Sequence, residues 1–238
     1  MKKIMLATGL CVITMLSNNN NAQATFINGS FEDPAYSDTN WHTPESIPGW
    51  QTTDNNFEIW SNSFNGVTSY EGNQHAELNA YIDGTLFQDT DTIAAGMQLG
   101  FEFAHRGRAG MDTLLLTITD LGNDNVYGGS DDTKLFSKQY STGNDAWVLY
   151  TNEGDAEILA SGNKIRFAYT AVESSGGNNS YGNFLDTVNF GVGVGHVPPQ
   201  PQTSSVPEPT SLFLIGFGLF GLTGLRRHNK KNTPATKS

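Results

Sequence analysis

The sequence predicts an all-β chain, an antiparallel β-sandwich of jelly-roll type, and three observations point there. Large apolar residues between positions 57 and 190 recur at every second position, the side-chain period of a pleated strand and not of a helix. Clusters of Gly, Asn and Asp interrupt these runs at short intervals, as tight turns require. Gly (26 residues) and aromatic residues (11%) are abundant while charged residues make up 16%, and no stretch offers a capped amphipathic helix of three turns.

Taken in order, residues 1–24 open with Lys2 and Lys3, run through an apolar stretch and close on Ala22-Gln23-Ala24. A basic start, a short apolar run and small residues at −3 and −1 predict a signal peptide, removed by signal peptidase after Ala24. The single cysteine, Cys11, lies inside it, so the mature chain would have neither a disulfide nor a zinc-thiolate site. Strands are expected at 57–61, 74–79, 85–88, 99–105, 114–118, 135–140, 147–150, 165–169 and 184–190 within a folded domain at 25–190. In the last of these, Phe184, Asp186, Val188 and Phe190 should share one face. Such a sandwich places function on its end loops or on a concave face. Residues 191–205 read as a Gly/Pro/Ser linker, with too little apolar surface for a core. Then come Val206-Pro207-Glu208-Pro209, an apolar helix at 212–225, the cations Arg226 and Arg227, and a cytoplasmic tail at 232–238. That helix would reach about 21 Å at 1.5 Å per residue, short of the roughly 30 Å hydrocarbon core, and the cations behind it would stay in the cytoplasm.

The order Pro-Glu-Pro, short Gly-rich apolar helix and Arg-Arg over residues 206–231 resembles the PEP-CTERM sorting signal of bacteria that secrete exopolysaccharide. The resemblance implies handling by an exosortase near Pro207, Glu208 and Pro209, with Arg226 and Arg227 completing the signal. It also implies transient insertion in the inner membrane, then export to the surface or the extracellular space. Gly216, Gly218 and Gly221 satisfy GxGxxG, but a dinucleotide site needs a strand before and a βαβ unit after, and neither is available here. The domain itself resembles carbohydrate-binding modules of the galactose-binding-like jelly-roll type. The residues that carry this are Phe26-Ile27-Asn28-Gly29-Ser30-Phe31-Glu32, Ile47-Pro48-Gly49-Trp50, the segment 70–79 and Phe184-Leu185-Asp186-Thr187-Val188. By that resemblance Glu32 and Asp186 would hold a structural Ca²⁺ with backbone carbonyls; the alternative is a turn cap and a loop hydrogen bond.

The formal charge is −11 overall, but residues 25–205 carry 23 acidic and only 6 basic side chains, a charge of −17. Counterion release on a phosphate backbone is closed to such a surface, so no nucleic-acid partner is expected. Sugar rings stack on aromatic faces while their hydroxyls need polar neighbours. Trp41, Trp50, Trp60, Tyr70 and Tyr81 lie in or beside Asn/Gly-rich segments. Trp60 is the first choice for a stacking platform, with Tyr70, His75 and Glu77 near it, while Trp50 and Trp147 read as packing residues. His105, Arg106 and Arg108 follow the strand at 99–103. Their guanidiniums could fork onto sugar hydroxyls or a uronate carboxylate, or pair internally with Glu77, Glu102 or Asp112. The loop 120–132 lacks the ligand spacing of an EF-hand and reads as a solvated hairpin connection.

No GxSxG, HExxH or mature cysteine nucleophile is present, which speaks against catalysis. The expected function is non-catalytic binding of exopolysaccharide by an exported protein. A structural or adhesive matrix protein without a sugar site is the second reading, and a glycan-active enzyme with a carboxylate pair the third.

Overall fold

Alternating apolar residues give each long strand one greasy face, and two sheets close over those faces. The computed structural model describes residues 26–195. Its strands are β1 Trp41–His42, β2 Gln51–Thr52, β3 Glu58–Ser61, β4 Gln74–Glu77, β5 Thr85–Asp89, β6 Gln98–Arg106, β7 Asp112–Asp120, β8 Thr133–Thr142, β9 Val148–Thr151, β10 Ile158–Leu159, β11 Ile165–Glu173 and β12 Phe184–Val192. One sheet runs β1-β3-β4-β12-β6-β10 with β9 also on β6; the other runs β2-β5-β11-β7-β8. Every pairing is antiparallel. The predicted fold class holds: an all-β antiparallel sandwich, with a single 3-10 turn at Phe64–Gly66 as the only helical element among the described residues.

The core lies between the sheets. Leu99, Phe101 and Phe103 of β6 face Leu114, Leu116 and Ile118 of β7 and Ile165, Phe167 and Tyr169 of β11, all sealed from solvent. At about 25 cal/mol per Å² of apolar surface removed from water, this layer dominates the stabilisation. Trp50 is buried as expected, stacked 5.0 Å from Phe31, with its Nε1 donating to the Asn28 carbonyl.

The segment 26–33 forms no strand. It nevertheless adjoins the last strand: the Val188 amide donates to the Gly29 carbonyl, and a Cβ on Gly29 would strike the Val188 oxygen. The two-residue strands β1, β2 and β10 are too short to leave a period in the sequence. Strand β6 continues to Arg106, so His105 and Arg106 belong to the sheet and not to the loop after it. At the other end β12 runs to Val192 and Val194 is buried, so the domain extends past the boundary predicted at 190.

One pattern reading is overturned. In β12, Thr187 and Val188 together oppose the single residue Phe103, a β-bulge marked by the shift between Asp186 and Asn189. The extra residue reverses the phase of the strand. Leu185, Val188 and Phe190 therefore point into the core, while Phe184 packs on the opposite face with Trp60 and Val67.

The signal peptide with Ala22 and Ala24, the linker beyond 195, Pro207, Glu208, Pro209, the helix at 212–225 and Arg226 and Arg227 all lie outside the described residues. No helix among the described residues is long and apolar enough to cross a membrane.

Candidate ligand groove

Strands β3 and β4 pair in register, setting Glu58 opposite Glu77 and Trp60 opposite His75. Alternation sends Ile59 and Ala76 into the core and these four side chains to the outer face of the sheet. Two like charges directly opposite each other destabilise a sheet unless something compensates. Here Arg108 does so: its Nη1 lies 2.9 and 3.0 Å from the two Glu77 oxygens. The guanidinium is stacked 3.5 Å over Tyr181 and 4.6 Å from the Trp60 centroid. Glu77 also accepts from the Gly182 amide, and Glu58 from Trp60 Nε1 at 2.7 Å.

Burial raises the pKa of both Glu58 and Glu77, that of Glu77 well above its ordinary value, with the neighbouring Glu58 carboxyl adding to the rise at Glu77.

A groove of about 400 Å³ opens beside this cluster, lined by Trp41, Glu58, Trp60, Phe64, Tyr81, Arg108 and Tyr181 among others. Trp41 and Tyr81 are 47% and 48% exposed and present aromatic surface to solvent, whereas Trp60 is 2% exposed. Asp112, fully buried, fixes the walls: its carboxylate accepts from the amides of Arg108, Ser175 and Asn183 at 2.7, 2.6 and 3.0 Å. These bonds tie the loop carrying Arg108 to the loop carrying Tyr181.

The site residues read from sequence separate on this geometry. Glu77, Trp60 and Arg108 are brought together, but Trp60 is the covered floor under Arg108 and not the open platform. Arg108 pairs internally with Glu77 and also borders the groove, so both of its alternatives apply. His75 is sealed, with Nδ1 on Ser69 Oγ, and burial lowers its pKa to about 3. His105 is equally sealed between Thr142 and Asn183, with its pKa lowered to about 4 by burial. Neither imidazole is available to a ligand. Arg106 donates from Nε and Nη2 to the Asn144 carbonyl. Tyr70, 43% exposed, sits near Trp147 and not among the groove residues.

Glu32 and Asp186 hold one loop from its two ends. Glu32 Oε1 accepts from the amides of Asn73 and Gln74, and Asp186 Oδ2 from those of Tyr70 and Glu71. Burial pushes the Asp186 carboxyl up to about 7. No group of three or more His, Cys, Asp or Glu side chains able to hold a metal is found among the described residues.

Sequence reasoning missed Glu58 and Tyr181, and named Asp112 only as a partner for the arginines. Tyr181 carried a legible signal, an aromatic closing the polar loop Gly176-Gly177-Asn178-Asn179-Ser180; Glu58 lies opposite Glu77, and Asp112 binds Ser175 and Asn183, across long stretches of sequence.

Fold and groove together define a β-sandwich that offers an aromatic, polar-edged cleft to a ligand. Residues 205–227 match the PEP-CTERM protein-sorting motif, the mark of an exported protein. No curated protein matches the chain in sequence. Among solved structures it is similar to the C-terminal family 22 carbohydrate-binding module of Clostridium thermocellum Xyn10B, at 11% identity and TM-score 0.44, covering 67% of this chain and 97% of that one. It is also similar to a xylan-binding domain of family 22, at 14% identity and TM-score 0.43, covering 68% and 100%. A family 61 module in complex with β-1,4-galactotriose matches at 13% identity and TM-score 0.42, covering 70% and 97%.

Proposed function

We propose that this exported chain binds polysaccharide non-catalytically, in the groove between Trp41, Tyr81, Tyr181 and Arg108. The observation that carries the reading is the pairing of two half-exposed aromatic side chains with a rigidly held arginine along one groove. Aromatic faces supply the stacking surface a pyranose ring needs, and the arginine supplies oriented donors. Glu77 is sealed from solvent and held by Arg108 and the Gly182 amide, which favours binding over hydrolysis. In this reading an exosortase acts near Pro207-Glu208-Pro209 after signal peptidase has removed residues 1–24, the apolar stretch at 212–225 having lodged briefly in the inner membrane. The polysaccharide is then exopolysaccharide at the cell surface or in the extracellular matrix. A calcium ion beside Glu32 and Asp186 would stabilise the loop they share. Its support is that Asp186 is buried with no cationic side chain paired to it among the described residues.

A glycan panel probed with the full chain tests the reading. Trp41→Ala and Tyr81→Ala should each weaken binding about tenfold, the loss of roughly 1.4 kcal/mol expected for an aromatic stack, with melting temperature unchanged. Affinity indifferent to both substitutions would reject this groove.

A further inference from the structure

We propose that the groove takes an acidic glycan, with a uronate carboxylate seated against the open edge of the Arg108 guanidinium. This rests on the glycan reading above and names its ligand class.

Arg108 is ion-paired through one nitrogen only. Nη1 serves both oxygens of Glu77, while Nε and Nη2 find no acceptor among the described residues. Neither is among the buried polar atoms left without a partner, so both meet solvent at the groove. The other arginines differ. Arg166 uses Nε and Nη2 on the two oxygens of Asp89, and Arg106 uses the same pair on the Asn144 carbonyl. Arg108 alone among the three keeps that edge unengaged.

The edge is also preorganised. Tyr181 at 3.5 Å and Trp60 at 4.6 Å hold the guanidinium plane, and its side chain is only 19% exposed. Two parallel N–H donors in a fixed plane match a carboxylate, and charge-assisted bonds of this kind are about twice as strong as neutral ones. A sugar hydroxyl uses one such donor at a time.

The remaining lining argues the same way. Glu58, the other charged residue of the groove, already accepts from Trp60 Nε1, and burial raises its pKa, which lessens the repulsion an incoming carboxylate would meet. An amino sugar would seek the faces of Trp60 and Tyr181, but Arg108 already fills that position. The acidity of the domain is no barrier at short range, because charges beyond about 8–10 Å are screened at physiological salt.

The test compares binding of the full chain to polygalacturonate, polyglucuronate and alginate, each beside its own methyl ester, which removes the charge and keeps the sugar. At least one free acid should bind tenfold or more tighter than its ester. Arg108→Lys, which keeps the charge beside Glu77 but loses the fork and the stacking, should erase that preference in the folded variant. Equal affinity for acid and ester, or tighter binding of neutral glycans such as xylan or galactan, overturns the acidic-ligand assignment while the glycan reading stands. No binding to any glycan of either kind overturns both. The acid-to-ester comparison needs no variant, so a misfolded Arg108→Lys would not blunt it.

Discussion

Asp186 shows how a single side chain couples this domain to pH. Its pKa rises from an ordinary 3.8 to about 7 because burial outweighs the three backbone amides it accepts from. Between about pH 4 and pH 7 the folded state therefore retains a proton that the unfolded chain has released, so folding takes up a proton and stability falls as pH rises. The Glu58–Glu77 pair contributes in the same direction. The contribution of Asp186 to stability in metal-free buffer should therefore fall between about pH 4 and pH 7. The stability of the wild type relative to Asp186→Asn should fall from pH 5 to pH 8, by at most a few kcal/mol at about 1.4 kcal/mol per pKa unit. A difference between the two proteins that does not change across this range would contradict the assignment. His75 and His105 act in the opposite sense: burial keeps both neutral in the folded state, whereas the unfolded imidazoles take up protons below about pH 6.5, so their contribution rises with pH from about 4 to 6.5.

At the scale of the element, strand β12 carries the domain's main irregularity. Thr187, at φ 48°, is the inserted residue that lets one strand serve two faces. Before it, Leu185 points inward and Phe184 outward into the Trp60 cluster; after it, Val188 and Phe190 point inward. Deleting Thr187 would swing Val188 and Phe190 out of the core, and losing two large apolar side chains from a core costs several kcal/mol. The deletion variant should fail to accumulate as folded protein, judged by circular dichroism and melting. Thr187→Gly keeps the residue count and suits the left-handed backbone, so it should stay within about 1 kcal/mol of the wild type. A deletion variant that folds normally would show that the strand can slip register. Sequence periodicity could not reveal this bulge, because Phe184-Leu185-Asp186-Thr187-Val188-Asn189-Phe190 fits simple alternation just as well.

For the whole molecule, net charge and the proposed cation belong together. With 23 acidic against 6 basic side chains over residues 25–205, self-repulsion works against the compact state, and a divalent ion near Glu32 and Asp186 would relieve it. If the ion is present, adding a chelator to protein purified with calcium should lower the melting temperature by several degrees. Restored calcium should return it, since a ligand that binds only the native state stabilises by mass action. An identical melt with and without chelator would dismiss the metal and leave both carboxylates as loop anchors.

Much of the architecture was legible beforehand. Strand periodicity and turn chemistry are local, so the nine longer strands, the sandwich and the burial of Trp50 followed from neighbouring residues. The sorting motif was legible for the same reason, since its features follow one another along the chain. The groove was legible only in part. Composition marked Trp41, Trp60, Tyr81 and Arg108 as chemically conspicuous, but local sequence could not tell a buried aromatic floor from an exposed wall. That distinction arose when Arg108, after β6, reached across to Glu77 of β4 and Tyr181 closed over it from the loop before β12. Burial, pairing and the open edge of a guanidinium are set by residues tens of positions apart, so only the tertiary structure decided them.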